Sequence, residues 1–427
     1  MAILFDIIYA VLFVLYLPVL KWKGKLHAGY PMRMGRIPPD IQQALATKPN
    51  IWIHAVSVGE VLAVADLIDK LMQRFPDKRV VCSVVTDTGY AVAREKLPGG
   101  VQVIYAPLDF SWVVRRFVKL IRPEIYIFAE TEIWPNLFDH LHAAGVPMIQ
   151  VNGRISDKSF GGYKRLRPVT RRVLGKVDRF LMQSQTDADR ICELGAHPAA
   201  VRVPGNLKFD SLPEAVVPDP ARFGLGTTDQ PLIAGSTHPG EEEILLDVFA
   251  VLKQAHPAAR LIICPRHVTR CDEVLSLIRG RDMTGVALSA AQETGAPADA
   301  VIVVDTMGQL RDLYSVARVV FVGKTFTVQG GQNMIEPGFF GKPVIVGPYT
   351  QNFKDVMTIF KREKAIVQVN DPDELREELL DIWDNAIRRE SLGMAARRVV
   401  EKFQGATEKT LLEIETLGPG RQDAAIH

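Results

Sequence analysis

Acidic side chains follow two predicted strands in the first half of the chain, at the points where those strands end. Glu60 comes shortly after the strand predicted over 51–56, and Glu130 and Glu132 follow the strand predicted over 124–128. A carboxylate at a strand-to-helix junction can face a ligand cleft, and partial loss of water raises its pKa toward that of a useful general base. The alternative for Glu60 is an ordinary exposed anion that the helix N-terminus stabilises.

Polar and basic residues near these acids indicate what the same rim could bind. Two acids, an indole and an amide are crowded into 130–136, an arrangement that costs stability and suits a polyhydroxylated ligand. Basic residues in 152–154 and 205–210 add positive charge, which an acidic or phosphorylated acceptor would explain and a solvated rim would explain as well. The candidates for acceptor binding are Ser57, Gly59, Glu130, Glu132, Asn152, Arg154 and Lys208.

A glycine pair in the second half of the chain is typical of a phosphate site. Gly330 and Gly331 follow the strand predicted over 319–322 and precede a short helical stretch. Adjacent glycines let backbone N–H groups turn toward an anion, and a helix start adds partial positive charge. Glu336 is placed to accept hydrogen bonds from ribose hydroxyls. A glycine turn capped by Asn333 is an equally good interpretation of the spacing.

Two further loops add donors at neighbouring strand ends. Arg266 and His267 end the strand predicted over 261–264, and an arginine offers a fixed fork to phosphate oxygens or a pyrimidine. Ser236 follows the first predicted strand of this half and lies beside a helix start. A lone arginine at a strand end is more often merely solvated, so the convergence of three loops carries the prediction of a donor site.

No metal or cofactor is expected. The sequence has neither an HExxH motif nor a two-histidine metal spacing. Asp187 and Asp189 have the spacing of a metal-binding DxD, but they open a helical pattern, where acidic residues serve as caps and dipole partners.

The elements that carry these residues predict an α/β fold. From residue 50 onward, short apolar β-branched runs alternate with amphipathic stretches whose apolar residues recur at spacings of three and four. Such alternation needs crossover connections and gives parallel sheets covered on both faces. We predict two doubly wound, Rossmann-like domains facing a central cleft, the GT-B architecture of glycosyltransferases. The pattern alone equally allows a two-domain epimerase or phosphorylase.

A proline-rich stretch over 211–231 interrupts this rhythm and predicts an interdomain linker. The expected organisation is an anchor over 1–21, an acceptor-binding domain over 22–210, the linker, a nucleotide-sugar-binding domain over 232–390, and a C-terminal helix and tail over 391–427.

Composition excludes several classes of protein. The chain has 427 residues, 47% of them hydrophobic and 23% charged, which is ordinary for a globular protein of two or three domains. Its 51 basic and 49 acidic residues give a net charge of +2, so no nucleic-acid partner is expected. The 4 cysteines form no CxxC pair and fit a reducing compartment.

The first twenty residues predict attachment to a membrane. The run over 3–20 is apolar except for Asp6 and Pro18, and basic residues follow it, which by the positive-inside bias keeps the rest of the chain in the cytoplasm. The alternative is a buried helix that docks on the first domain without touching lipid. Asp6 and the marginal length leave open whether the segment spans the bilayer or lies in one leaflet.

Taken together, the motifs resemble those of the bacterial 3-deoxy-D-manno-octulosonic acid (Kdo) transferases of lipopolysaccharide biosynthesis. The resemblance runs from the N-terminal anchor to about residue 360. The matching segments are 54–60 (HAVSVGE), 130–136 (ETEIWPN), 205–210 (GNLKFD), 265–267 (PRH), 330–333 (GGQN) and 336–337 (EP).

The resemblance implies a membrane-attached, metal-independent, inverting GT-B enzyme on the cytoplasmic face of the inner membrane. Such an enzyme moves Kdo from CMP-Kdo to the lipid A precursor, lipid IVA. By the same resemblance, Glu60 matches the catalytic base, and Arg266 and Glu336 match residues that hold the CMP moiety. The implied donor-binding residues are Ser236, Arg266, His267, Met307, Gly308, Gly330, Gly331, Asn333 and Glu336.

The chain departs from the family pattern near the donor, where Gln309 replaces a usual glutamate after Met307 and Gly308. The rival interpretations are another GT-B glycosyltransferase, a sugar-nucleotide epimerase, or a sugar-nucleotide- or lipid-binding module that has lost activity.

Overall fold

The computed structural model describes residues 29–210 and 218–418, together with Asp6, Ile7, Tyr9, Ala10, Val11 and Leu15. The chain divides into two compact units, one comprising Met1–Ser211 and Phe403–His427 and the other Leu212–Lys402. Most of the predicted anchor over 1–21, and residues 211–217 of the predicted linker, lie outside the described residues. Within the part of the chain that is described, no helix combines the length and apolarity needed to cross a membrane.

The first unit is built on a parallel sheet whose central strands are buried on both faces. Every residue of its first strand, with the sequence Asn-Ile-Trp-Ile-His, is buried, as expected for a sheet with helices on both sides. The strands are β1 (Asn50–His54), β2 (Arg79–Val84), β3 (Gln102–Tyr105), β4 (Pro123–Ala129), β5 (Met148–Gly153), β6 (Arg179–Met182) and β7 (Val201–Arg202).

Amphipathic helices cover this sheet. In the helix Ser111–Ile121, for example, Val113, Val114, Phe117, Val118 and Ile121 face the core, at spacings of one, three and four. The helices are α1 (Tyr30–Arg33), α2 (Pro39–Ala46), α3 (Val58–Arg74), α4 (Asp87–Lys96), α5 (Ser111–Ile121), α6 (Pro135–Ala143), α7 (Asp157–Arg165), α8 (Arg167–Leu174) and α9 (Gln185–Leu194).

The strand order of this sheet places the acidic segments side by side. The order is β3-β2-β1-β4-β5-β6-β7, and Ile51 of β1 pairs with Ile125 of β4. The direction of the crossovers reverses between β1 and β4, which is where doubly wound sheets bind ligands. The loops that follow β1 and β4 leave the same edge of the sheet, and they carry Glu60 and the 130–136 segment.

The second unit repeats this plan. All of its strand pairs are parallel, in the order β10-β11-β9-β8-β12-β13-β14. Its strands are β8 (Gln230–Thr237), β9 (Ala259–Pro265), β10 (Gly285–Ala287), β11 (Val301–Val303), β12 (Val319–Val322), β13 (Val344–Val346) and β14 (Val367–Gln368). Its helices are α10 (Glu241–Ala255), α11 (Cys271–Arg279), α12 (Leu288–Thr294), α13 (Leu310–Val316), α14 (Ile335–Phe339), α15 (Lys354–Arg362), α16 (Pro372–Asp384) and α17 (Ala386–Phe403).

The last described helix, α18 (Ala406–Leu417), belongs to the first unit. Its buried Leu411 and Ile414 share a core cluster with Leu67 of α3. The Asp210 carboxylate accepts hydrogen bonds from the N–H groups of Gly405 and Thr407, at 2.6 and 2.5 Å, and so fixes the start of α18. The chain therefore returns to the first unit after building the second.

The prediction of two parallel α/β domains is confirmed. Four strands were not predicted: β6, β7, β10 and β14. Two of them, β7 and β14, are only two residues long and carry almost no pattern. The predicted linker over 211–231 stays a prediction. Its described part contains the turn Pro220–Phe223, in which Phe223 is fully buried, and the first two residues of β8.

Candidate functional site

Glu60 lies in the first turn of α3, at the carboxyl end of β1. Its side chain folds back on the segment that precedes the helix. Oε2 accepts a hydrogen bond from the Val56 N–H at 2.8 Å, and Oε1 accepts one from the Ser57 hydroxyl at 3.0 Å. The residue is only 8% exposed. Because Gly59 has no side chain and nothing lies within 4 Å of a Cβ built there, the approach beside Glu60 is open.

The surroundings of Glu60 give its carboxylate a higher proton affinity than a glutamate exposed to water has. Burial, followed by the negative charge of Glu130, raises the pKa of Glu60 from 4.5 to about 7. The hydrogen bonds from Val56 and Ser57 and the charge of Lys208 act in the opposite direction. A carboxyl group with a pKa near 7 is a good general base at neutral pH, because it is both partly ionised and strongly basic.

Two further acids of the first unit lie near Glu60, as their sequence positions predict. Burial, followed by the charge of Glu60, raises the pKa of Glu132 to about 7, and the Trp134 indole N–H donates to its Oε2 at 3.1 Å. Glu130 sits at a backbone φ of 52°, and its Oε1 is 3.9 Å from the Lys208 ammonium. The structure thus gathers three carboxylates and one lysine, hereafter the acid cluster (Glu60, Glu130, Glu132 and Lys208).

The Asn152 side chain supports a neighbouring loop of the predicted acceptor site. Its Oδ1 accepts a hydrogen bond from the Leu207 N–H at 3.1 Å, and its carbonyl accepts one from Gln183 at 3.0 Å. The side-chain oxygen therefore holds the loop that presents Lys208. The Arg154 carbonyl likewise accepts the Thr131 hydroxyl, which ties the 130–136 loop to the end of β5.

In the second unit, Glu336 and Asn333 form a pair. The Asn333 amide donates to Glu336 Oε1 at 3.0 Å, and its Oδ1 accepts from the Ile335 N–H at 3.0 Å. Burial raises the pKa of Glu336, while Asn333 and the charges of Arg311 and Arg266 lower it. Asn333 thus binds the N–H of the first residue of α14 and orients the carboxylate at the same time.

The glycine pair is shaped as predicted but does not present free N–H groups. Gly330 and Gly331 have φ of 138° and 80°, which favours glycine, and a Cβ on Gly330 would lie 2.7 Å from the Asn352 amide. However, the Gly330 N–H donates to Gln351 Oε1 at 3.1 Å, and the Gly331 N–H donates to the Lys324 carbonyl at 2.8 Å. In this structure both donors that we expected at a phosphate are used inside the protein.

The other predicted donor residues lie around the ends of β8, β9 and β11. Ser236 is buried at a φ of 56°, and its carbonyl is 3.1 Å from His238 Nδ1. Arg266 and His267 are exposed. The Arg266 backbone N–H donates to the Thr237 carbonyl at 3.0 Å and ties the end of β9 to the end of β8. Met307 is also exposed, and Gly308 adopts a φ of 85°.

Sequence reasoning missed Glu241, the first residue of α10. This fully buried carboxylate accepts four backbone N–H groups, from His238, Lys324, Thr325 and Phe326, at 2.7 to 2.9 Å. It fastens the loop after β8 to the loop after β12, and these loops surround the predicted donor residues. The available signal was an acid directly after Gly240 at a helix start.

His54 is a second residue whose setting the sequence did not reveal. It ends β1 fully buried, with Nδ1 3.0 Å from Ser83 Oγ and its ring 6.5 Å from that of Trp134. Burial lowers the pKa of His54 to about 4, so the imidazole is neutral at physiological pH. Its ring supports Trp134, which in turn holds Glu132.

Comparison with known proteins identifies the family of this chain. Residues 28–211 match the family model of 3-deoxy-D-manno-octulosonic-acid transferase (kdotransferase). A 3-deoxy-D-manno-octulosonic acid transferase of Bordetella pertussis is 35% identical over 400 residues, covering 90% of this chain and 91% of the relative. A bifunctional glycosyltransferase/methyltransferase of Fusobacterium nucleatum is 37% identical over 378 residues, but this chain spans only 57% of its length.

A solved structure supports the fold independently. A protein described as a UDP-N-acetylglucosamine 2-epimerase from Listeria monocytogenes aligns over 87% of this chain and 96% of its own, with a TM-score of 0.58 and 13% identity. At that identity the likeness shows a shared two-domain fold and nothing about the reaction. The family match and the relative from Bordetella pertussis go further, and they show that this chain belongs to the 3-deoxy-D-manno-octulosonic acid transferase family and is a glycosyltransferase.

Proposed function

We propose that this chain transfers Kdo from CMP-Kdo to a hydroxyl of the lipid A precursor, lipid IVA, with inversion, on the cytoplasmic face of the inner membrane. The observation that carries the proposal is the buried Glu60 carboxyl, whose pKa is raised to about 7 beside an open approach over Gly59. Family membership supports the transfer of Kdo. The burial and raised pKa of Glu60 support general-base catalysis of that transfer.

Glu60 acts as the general base in this proposal. When it is ionised, it takes the proton from the acceptor hydroxyl as that oxygen attacks the anomeric carbon of Kdo. The bond between that carbon and the CMP phosphate oxygen breaks on the opposite face, so the configuration inverts. The proton ends on Glu60 and the negative charge leaves with CMP.

The second unit supplies the groups for the nucleotide. The exposed Arg266 guanidinium offers a positive, forked donor to the phosphate, on which charge accumulates as CMP departs. Glu336, oriented by Asn333, is suited to accept hydrogen bonds from the ribose hydroxyls. Because the N–H groups of Gly330 and Gly331 are used internally, we assign the glycine pair a shaping role and assign phosphate binding to Arg266 and the Ser236 loop.

Two basic residues near Glu60, Lys208 and Arg154, suit a phosphorylated acceptor. Lys208 lies 3.9 Å from Glu130, in a loop that Asn152 fixes, and Arg154 follows β5 at the same edge of the sheet. A lysine and an arginine beside the base would orient an acceptor through its phosphates. Attachment to the membrane keeps the enzyme beside an acylated acceptor that cannot leave the bilayer cheaply.

The decisive experiment uses the full chain with CMP-Kdo and detergent-dispersed lipid IVA, and measures CMP release together with the mass gain of the lipid. We expect one CMP for each Kdo added. Glu60→Gln should lower the rate of transfer roughly 10²–10⁴-fold, because the amide cannot accept the proton.

Glu95→Gln, which alters an exposed glutamate on α4, is the matched control and should transfer normally. Binding of CMP by Glu60→Gln should be unchanged. Near-normal transfer by that variant would remove Glu60 from the role of base. A failure of the unaltered protein to release CMP would refute the proposed reaction.

A further inference from the structure

Glu242 is a second buried carboxylate at the start of α10, directly after Glu241. Its side chain is fully buried in the interior of the second unit. Oε1 accepts hydrogen bonds from the Thr237 hydroxyl at 2.8 Å and from Arg270 Nη1 at 2.7 Å. Oε2 accepts a longer one from Arg270 Nη2 at 3.4 Å. The carboxylate therefore joins the last residue of β8 to the turn that follows β9.

The two partners of Glu242 enclose the segment that carries two predicted donor residues, Arg266 and His267. The Arg266 backbone N–H donates to the Thr237 carbonyl at 3.0 Å, and the Arg270 backbone N–H donates to the His267 carbonyl at 3.0 Å. Thr237 thus binds Glu242 through its hydroxyl and Arg266 through its carbonyl. The segment is fixed at its first residue by the end of β8 and at its last residue by Glu242.

Arg270 is also held from a second side. Its guanidinium binds Glu273, in the first turn of α11, at 2.8 and 3.1 Å. Two carboxylates therefore hold one guanidinium, whose planar fork fixes the direction of each hydrogen bond. The turn before α11 cannot rotate without breaking these charged contacts. We call the three residues that fix the segment the Glu242 network (Thr237, Glu242 and Arg270).

A buried ion pair of this kind contributes more to position than to stability. The cost of removing both charges from water offsets much of their attraction, so the net stabilisation is small. A ligand-binding group, in contrast, needs supporting residues that hold it in one place. Fixing the segment between β9 and α11 is therefore the main effect of the Glu242 network.

Arg266 is the residue that needs such support. Within the described part of the chain its guanidinium forms no ion pair or hydrogen bond, so the backbone of the segment determines where it can reach. Burial raises the pKa of Glu336, and the charge of Arg266 is among the effects that lower it. Arg266 therefore lies near the carboxylate assigned to the ribose, where the position of its backbone matters for a nucleotide.

We propose that Glu242 is a positioning residue for the nucleotide. Through Thr237 and Arg270 it holds the segment that carries Arg266, and so directs the Arg266 guanidinium to the phosphate of CMP-Kdo. This inference rests on the phosphate role of Arg266 in the proposed function. Glu242 is fully buried and acts only through its two partners.

The test is a double-mutant cycle in the full chain, with CMP affinity measured by isothermal titration. Glu242→Leu should weaken CMP binding about tenfold, since the segment loses its fixed end. Arg266→Met should weaken it about thirtyfold, since a charged hydrogen bond to the phosphate is lost. The combined variant should bind CMP no more weakly than Arg266→Met alone, because the position of residue 266 no longer matters.

A milder variant covers the case in which Glu242→Leu does not fold. Thr237→Val keeps the ion pair and removes one hydrogen bond, and it should weaken CMP binding about threefold, again only when Arg266 is present. Asp247→Asn is the matched control on the same helix. Asp247 is exposed and binds Arg281 at 2.8 Å, so this variant should bind CMP as the unaltered protein does.

Cytidine, which lacks the phosphate, is the second probe. It should bind Glu242→Leu as it binds the unaltered protein, because the network acts on the phosphate contact. Equal losses of CMP and cytidine affinity would overturn the inference. Losses from Glu242→Leu and Arg266→Met that multiply in the combined variant would also overturn it, since Glu242 would then act without Arg266.

These outcomes are separable from the proposed reaction. If Arg266→Met binds CMP as tightly as the unaltered protein does, the phosphate role of Arg266 fails and this inference fails with it. If Arg266→Met weakens CMP binding and the network variants do not, only the inference fails. Absence of Kdo transfer by the unaltered chain, with the coupling intact, would refute the reaction and leave the positioning role of Glu242 standing.

Discussion

In each unit a buried glutamate lies in the first turn of the helix that follows the first strand of the sheet along the chain, β1 in the first unit and β8 in the second. In the second unit, Glu241 accepts four backbone N–H groups. In the first unit, Glu60 accepts only one N–H and one hydroxyl, and it lies near the negative charge of Glu130. A carboxylate that accepts four N–H hydrogen bonds is stabilised as an anion and holds two loops together. A buried carboxylate that accepts only two hydrogen bonds has a high proton affinity.

The contrast predicts opposite stability effects of the same substitution. Glu241→Gln should lower the free energy of unfolding by about 3 kcal/mol, because charged hydrogen bonds are lost and the new amide hydrogens face N–H donors. Glu60→Gln should raise it by about 2 kcal/mol near pH 8, because ionising a group whose pKa is raised to about 7 on folding costs stability there.

The sign of the Glu60 effect follows from linkage. Its pKa is higher in the folded state, so the folded protein is favoured while Glu60 is protonated, and that contribution disappears as the pH rises from about 4.5 through about 7. The increase in the free energy of unfolding caused by Glu60→Gln should therefore vanish near pH 4. Urea denaturation at pH 8 and pH 4 measures these free energies of unfolding. A loss of stability in both Glu60→Gln and Glu241→Gln at pH 8 would contradict the proposed difference between the two glutamates.

Gly330 tests how far the donor loops depend on backbone shape. Gly330→Ala should weaken CMP binding about tenfold, because a side chain at φ 138° is strained and its Cβ would meet Asn352 at 2.7 Å. Gly226→Ala is the matched control, since a Cβ there meets nothing closer than 3.6 Å. Isothermal titration with CMP measures both, and unchanged affinity in Gly330→Ala would separate this loop from the nucleotide.

The charges around Glu60 should shift its titration without abolishing transfer. Glu130→Gln removes the charge that raises the pKa of Glu60, so the acid limb of the pH profile of kcat/KM should move to lower pH, by up to about one unit. Lys208→Met removes a charge that lowers this pKa, and its acid limb should move to higher pH. Shifts in the same direction in both variants would contradict the assignment of Glu60 as the titrating base.

The sequence predicted the central strands and the position of Glu60 well, because both depend on local pattern. Long apolar runs such as 51–53 and 319–322 can only be buried, and an acid just after such a run must lie at the sheet edge. Glu241 was missed because a run of three glutamates at a helix start looks like a solvated N-terminus. Its partners at 324–326 are more than eighty residues away, and no local pattern encodes that contact.

The same limit applies to the predicted ligand contacts. Asn152 stays a predicted binding residue, but the sequence did not show that its side-chain oxygen accepts a hydrogen bond from the Leu207 N–H, 55 residues along the chain. The glycine pair predicts the backbone conformation of its loop. It does not predict that the Gln351 side chain accepts the hydrogen bond of the Gly330 N–H. The residue type predicts which hydrogen bonds a side chain can form, and only the fold determines which partner it has.

The return of the chain to the first unit has a practical consequence for dissecting this enzyme. Cutting at the proline-rich stretch would strip α18 from α3, leave Leu67 and its neighbours uncovered, and deprive Asp210 of both of its N–H donors. The first unit therefore cannot be produced intact from the N-terminal part of the chain alone, and residues 403–418 must be joined to it. The rear half, continuous from 218 to 402, can be produced as one uninterrupted fragment.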